Sequence, residues 1–288
     1  MKRTNSPVNT NMDRRARLVS IFEDTISMIN KEVSLTEAIE RSIAGTKFYS
    51  EQESPSVEKA LGRKMTVSVT DHRTLQAAEL MFARNPAKRV AVLNFASATT
   101  PGGGVTWGSS AQEECLCRCS TLYPVLDREN LWEQYYNFHR SREDRLYTDA
   151  CIYSPGIKVF KSDKSFPERI PEGKWFDVDV ITCAAPNFRK IEPLPDNELF
   201  ELHIKRGRKI LDVALDNGAE CLVLGAFGCG AFRNNPYVVA KVYARLMKEY
   251  KDSFDEVEFA VFCKGFEVTN YEAFKKALGV ESTHNNIQ

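Results

Sequence analysis

Two adjacent carboxylates, Glu113 and Glu114, follow three consecutive glycines, Gly102–Gly104, with seven residues between GGG and QEE. Neighbouring carboxylates in a partly desolvated cleft repel, so one of them keeps its proton to higher pH. A carboxyl poised in that way can protonate a leaving oxygen. Ser110 and Glu113 fit a capping box, which predicts a helix through Cys115–Tyr123 with Gln112, Glu113 and Glu114 in its first turn. The helix N-terminus favours the anion and opposes the repulsion; the sequence leaves that contest open. The blander reading is also open, in which Glu113 only caps the helix and Glu114 is a favourable acid near its start. The spacing does exclude one arrangement. Ordinary glycosidases set two carboxyls about 5 to 9.5 Å apart across the sugar, and neighbours on one helical turn cannot flank a bond like that. A glycosidase built here uses one main carboxylate, with the second binding substrate.

A second glycine-rich loop follows the buried run Cys221–Leu224 and reads GAFGCGAFRNNP from Gly225. Gly225, Gly228 and Gly230 leave backbone N–H groups free near a helix start, with Asn235 suited to the N-cap and Pro236 to the first helical position. Such a loop binds phosphate through dipoles and a nest of N–H groups, without net charge. It has neither the dinucleotide-fold glycine spacing nor the Gly-Lys-Ser/Thr of a P-loop. Phe227 and Phe232 bracket it, as core packing or as a wall against a ribose or adenine face.

The elements that must carry these loops alternate. Residues 1–12 read as a polar, disordered tail, and 13–60 as a helical extension with Leu18, Ile21, Phe22, Ile26 and Ile29 at helical spacing. Ser34-Leu-Thr-Glu37 suggests a capping box for a second helix, and 50–56 a hinge. Strands are predicted over Met65–Val69, Arg89–Phe95, Phe176–Ala184, Cys221–Leu224 and Val257–Phe262. Helices are predicted over Arg73–Arg84, Leu199–Asn217, Pro236–Lys251 and Tyr271–Leu278. Residues 126–176 are the least regular stretch. This β-α rhythm over 61–282 implies an α/β domain whose mostly parallel or mixed sheet is covered on both faces. Ligands in such sheets bind beyond the carboxyl ends of the strands, where both glycine loops fall. Asn94 ends a strand close to the first loop and either orients a ligand or caps the strand.

Composition sets further limits. The 288 residues hold 39 Lys plus Arg against 39 Asp plus Glu, a balance with no global attraction to nucleic acid or an anionic membrane. No stretch approaches the roughly 20 apolar residues of a membrane span, and the first ten residues lack the apolar run of a secretory signal. A cytoplasmic chain is expected, with its eight Cys reduced. Cys115, Cys117 and Cys119 alternate along one helix and so do not share a face for a metal. Cys229 needs a neighbouring base to act as a nucleophile, and none of His72, His139, His203 and His284 is an evident partner. His203 reads as a surface or packing residue.

With these residues in place, the chain resembles the bacterial-type poly(ADP-ribose) glycohydrolases. The resemblance rests on GGG, seven residues, then QEE. VLNFASATTPGGG, QEECLCRCSTLYPVL, YTDACIYSPGIKV, VITCAAPN and VLGAFGCGAFRNNP support it, over roughly residues 13–280. It implies a macrodomain-like three-layer α/β/α sandwich with an N-terminal helical extension and an ADP-ribose cleft. It implies that Glu114 is the catalytic acid and that Glu113 holds a ribose hydroxyl. Gly102, Gly103 and Gly104 would line the ribose side, with Gln112 and Asn94 nearby. The loop Gly225, Ala226, Phe227, Gly228, Cys229, Gly230, Ala231 and Phe232 would wrap the diphosphate, with Phe232 against the distal ribose. No metal or other cofactor is implied. The implied partners are ADP-ribose, its polymer and ADP-ribosylated proteins. Thr99-Thr100 and Val105-Thr-Trp-Gly depart from the family pattern and bear on substrate preference. Two other classes stay open. An ADP-ribose reader would need no acid pair, and a metal-dependent nucleotide-sugar hydrolase would need carboxylate clusters.

Overall fold

The computed structural model describes residues 10–59, 61–263, 265 and 267–279. The chain opens with α1 (Thr10–Lys31), α2 (Val33–Gly45) and a short β1 (Lys47–Tyr49). Next come β2 (Thr66–Thr70), α3 (Thr74–Arg84) and β3 (Val90–Phe95). The helices α4 (Gln112–Cys119) and α5 (Leu122–Leu126) follow the first glycine loop. Then α6 (Glu129–Leu131) and α7 (Phe138–Arg140) flank a π-helical stretch, Trp132–Asn137. The rest is β4 (Cys151–Val159), β5 (Phe176–Cys183), α8 (Asp196–Asp216), β6 (Cys221–Leu224), α9 (Pro236–Glu249), β7 (Glu256–Ala260) and α10 (Thr269–Leu278).

The seven strands form one sheet in the order β1-β4-β5-β3-β6-β7-β2. Pairing is antiparallel from β1 through β4 to β5 and parallel across the remaining strands. The central β3 is apolar without alternation from Val90 to Leu93 because helices cover both faces. Val90 and Val92 enter one core with α1 to α5, while Ala91 and Leu93 enter the other with α8, α9 and α10. This is the mixed-sheet, three-layer α/β/α architecture expected of the sequence.

The first 60 residues differ from expectation. The helix begins at Thr10, so residues 10–12 are not a tail; residues 1–9, and the expected domain end over 280–282, lie outside the described residues. The segment 13–60 is not wholly helical, because Lys47–Tyr49 pairs with Cys151–Tyr153 as an edge strand. The capping box at Ser34 does not form. The Glu32 N–H donates to Met28 O, and the Glu32 carbonyl accepts from Leu35 and Thr36 N–H, so α2 is under way before Ser34.

Within 126–176, β4 carries Pro155-Gly156, a pair that reads as a turn. The strand absorbs it as an irregularity, with its register against β5 shifting between Ser154 and Ile157.

Candidate active site

A cleft of about 640 Å³ opens at the carboxyl ends of the parallel strands. The β3–β6 ladder ends at Val92, while β3 continues beside β5 to Phe95. Gln112 fills the gap. Its amide oxygen accepts from Phe95 N–H at 2.9 Å, and its amide nitrogen donates to Leu93 O at 2.7 Å and Thr74 Oγ1 at 3.1 Å. Gln112 also lines the cleft. Its polar atoms are engaged by the scaffold, and it pins the start of α4 to the sheet.

That start differs from the expected capping box. Ala111 occupies the N-cap and no side chain caps it. Glu113 instead turns inward, where Oε2 accepts from Ser97 N–H at 2.7 Å and Oε1 from Asn94 Nδ2 at 3.3 Å. Glu114 Oε1 accepts from Gly104 N–H at 2.9 Å, whereas its buried Oε2 has no partner among the described residues. Both side chains line the cleft and are nearly buried, at 3% and 7% exposure. Burial, with a further push from the Glu114 carboxylate, raises Glu113 to about 8 despite its donors. Glu113 thus holds its proton near neutral pH, and the oxygen left without a donor belongs to Glu114.

Backbone approach makes this packing possible. Gly103 has φ +57°, and a Cβ there would lie 2.6 Å from Glu114 Oε1 and 3.0 Å from Glu113 Oε2. Gly103 and Gly104 line the cleft, but Gly102 faces Tyr123, Cys117 and Val105. Asn94 is fully buried behind Glu113, bonded to it and to Thr182 Oγ1 at 3.2 Å, and is not among the residues lining the cleft.

The second loop curls over from β6 onto the end of β5. Phe188 N–H donates to Phe232 O at 3.0 Å. Asn234 Nδ2 donates to Pro186 O at 2.8 Å and Gly228 O at 2.9 Å. A Cβ on Gly228, where φ is +78°, would meet Ala185 Cβ and Asn234 Nδ2, both at 2.6 Å. Among the described residues, no protein acceptor takes the N–H groups of Gly228, Gly230, Ala231 or Phe232. These four, with Ala226, line the cleft. Three residues expected to bind do not line it. Gly225 backs onto Ala260 O, and Phe227 is buried against Phe95 and His203. Cys229 faces away, and burial pushes its thiol far up, so it is not the nucleophile. Asn235 caps α9 as expected, its Oδ1 accepting from Tyr237 N–H at 3.1 Å.

Sequence reading missed what supports this loop. Of the two readings of His203, packing holds: it is buried, and its Nε2 lies 2.8 Å from Asn234 Oδ1. Burial lowers its pKa to about 4, so it is neutral and Nε2 carries the donated hydrogen. Nothing in the sequence singles out Asn234; only the fold reveals the pairing. The sequence leaves open whether the N-terminal helices brace the domain or recruit a partner. Thr25 Oγ1 donates to Arg118 O at 2.6 Å, and buried Lys161 donates to Thr25 Oγ1 and Ile21 O, each at 2.8 Å. α1 therefore braces α4, the carrier of both carboxylates. Cys117 and Cys119 are buried, and the described residues contain no group of three His, Cys, Asp or Glu placed for a metal.

Comparisons with known proteins point to one family. The family model of the microbial-type PARG catalytic domain matches residues 19–162, half of the chain. The poly(ADP-ribose) glycohydrolase of Thermomonospora curvata, solved with the inhibitor ADP-HPD, is 34% identical with a TM-score of 0.78. That match covers 92% of this chain and 98% of the other. The enzyme of Deinococcus radiodurans in complex with ADP-ribose is 34% identical with a TM-score of 0.74, covering 84% of this chain and 96% of its own. No curated protein matches the sequence.

Proposed function

The chain belongs to the microbial-type poly(ADP-ribose) glycohydrolase family, and from that premise we propose a mechanism with Glu114 as general acid and base. The protein hydrolyses poly(ADP-ribose) and binds ADP-ribose. The residue roles rest on one observation above all. An unpartnered, buried Glu114 Oε2 faces a cleft whose other wall is a row of unclaimed N–H groups.

Sheet order supports the direction in which substrate lies. Glu113 and Glu114 stand over the ends of β3 and β5, the glycine loop follows β6, and β7 and β2 lie beyond. The terminal ribose sits at the Glu pair and the diphosphate on Gly228–Phe232. The adenosine runs on toward His72, Arg73 and Phe262, which line the far end. Phe232 packs on the distal ribose, and Glu113 holds a ribose hydroxyl.

Glu114 gives its proton to the leaving ribose oxygen as the glycosidic bond breaks, and the bonding pair goes to that oxygen. An oxocarbenium-like carbon develops beside the diphosphate. Glu114, now a carboxylate, takes a proton from water, whose oxygen bonds to the anomeric carbon, and ADP-ribose leaves.

We assign the protein to the cytoplasm because eight free thiols, five of them buried, suit a reducing compartment. No described helix is long and apolar enough to cross a membrane.

The test is ADP-ribose release from auto-modified poly(ADP-ribose) polymerase by wild type and Glu114→Gln. The variant should lose several orders of magnitude in rate and keep its ADP-ribose affinity. Release that survives the substitution removes Glu114 as the acid. Wild type that binds ADP-ribose but releases none from the polymer would point to mono-ADP-ribosylated targets.

A further inference from the structure

We infer that Arg145 and Arg189 form a second anion subsite at the β5 rim of the cleft, holding the diphosphate of the penultimate ADP-ribose unit. This rests on the polymer-cleaving reading above and adds the leaving side of the substrate to it.

Position is the first argument. On the reading above the terminal adenosine runs toward β7 and β2, so the preceding chain leaves the Glu pair toward the β4 and β5 side, beyond the loop whose Phe232 O accepts from Phe188 N–H. Both arginines line the cleft there. Asn187, just past β5, joins them: its N–H donates to Arg145 O at 2.9 Å, and its Oδ1 accepts from Arg189 N–H at 3.2 Å.

Charge is the second. Among the described residues, neither guanidinium has a carboxylate or hydrogen-bond partner; the neighbouring Asp144 is taken by Arg142 at 2.8 Å. Exposed Lys190 adds another positive charge beside them. Each ADP-ribose unit carries two negative charges on its diphosphate, and two guanidinium forks match them in number and geometry. The terminal diphosphate has the glycine loop's N–H groups, so these cations are available to the next unit.

Rigidity is the third. Asp144 Oδ1 accepts from Leu146 N–H at 3.0 Å and Tyr147 N–H at 3.1 Å. From beneath, buried Arg206 donates through Nη2 to Leu146 O at 3.0 Å and Tyr147 O at 3.3 Å. Tyr147 is held in the left-handed region, φ 56°, a conformation that costs about 1–3 kcal/mol and persists only where the surroundings impose it. Its ring lines the cleft beside Arg145. The guanidinium is thus presented from a fixed turn, which lowers the ordering cost of binding.

The experiment compares wild type with Arg145→Gln/Arg189→Gln and with Arg145→Lys/Arg189→Lys. It measures KM and kcat on long-chain poly(ADP-ribose) over a range of salt, together with the Kd of free ADP-ribose. The Gln pair should raise KM about tenfold or more and flatten its salt dependence by on the order of one logarithmic unit per arginine. The Kd of free ADP-ribose should stay within about twofold, and the Lys pair should recover most of the loss. An unchanged KM overturns the subsite. So does a parallel weakening of ADP-ribose itself, which would place both arginines on the terminal diphosphate. Wild type that releases nothing from the polymer overturns the polymer reading, and the subsite with it.

Discussion

Thr25 on the first helix donates its hydroxyl to the carbonyl oxygen of Arg118, one turn beyond Glu114, at 2.6 Å. The contact is fully buried and is shared with the Lys161 ammonium. Thr25→Val keeps the shape and removes the hydroxyl. It leaves a buried carbonyl and a buried cation each short of a partner, at a cost of about 1–3 kcal/mol. Thermal unfolding should fall by several degrees. A melting temperature within one degree of wild type would mean that α4 is held without this bond.

Gly103→Ala should damage catalysis more than stability. The new methyl would stand 2.6 Å from Glu114 Oε1, on a backbone at φ +57°. The backbone strain costs about 1 kcal/mol. Displacement of Glu114 should reduce release about a hundredfold or more. Near-normal release would show that Glu114 has room to move without consequence.

The pH profile should carry the signature of Glu113. Its carboxyl is pushed up to about 8, so kcat/KM should fall above that pH as Glu113 loses its proton. Glu113→Gln should remove that limb from whatever rate remains. The sign for stability follows from the same shift. Between the ordinary value of 4.5 and about 8, the folded chain holds a proton that the unfolded chain has released. Stability from this group therefore declines as pH rises through that window. A flat rate profile from neutral pH to well above 8 would contradict the assignment.

His203→Ala should loosen the second loop. Asn234 would lose the donor on its Oδ1 while its Nδ2 still tethers Gly228 and Pro186. ADP-ribose Kd should weaken about tenfold, with the rate at saturating polymer much less affected. His203 is lowered from 6.5 to about 4 in the folded chain, so its contribution is complete above about 6.5 and fades as pH falls toward 4. Unaltered ADP-ribose affinity would show that the loop needs no support from beneath.

Much of the fold was legible because strong periodicity survives tertiary context. The uninterrupted apolar run of β3 and the long amphipathic α8 emerged close to their expected bounds. The misses have identifiable causes. β1 is three residues long, too short to show a period, and exists because β4 offers it an edge. β4 hides behind a Pro-Gly pair that a bulge accommodates. At the site, the two motifs located the cleft, but a motif does not say which way a side chain turns. Glu113 abandoned its cap for Ser97 N–H once burial brought that donor near. Gln112, Asn94 and Phe227 face the scaffold for similar reasons. Arg145 and Arg189 lie just outside the segments YTDACIYSPGIKV and VITCAAPN, which do not show that the two meet; their convergence depends on Asn187, more than forty positions from the first.

Lys161 reaches back across 140 positions of chain to Ile21 and across 136 to Thr25. Contacts of such separation form late, because a long loop must close before they return any energy. α4 can form its own turns early, but it reaches its final seat only after the 161 segment and the first helix have met around it. Assembly of the acid pair is thereby made a closing event of folding, so a half-folded chain carries both glutamates without the enclosure that gives them their chemistry.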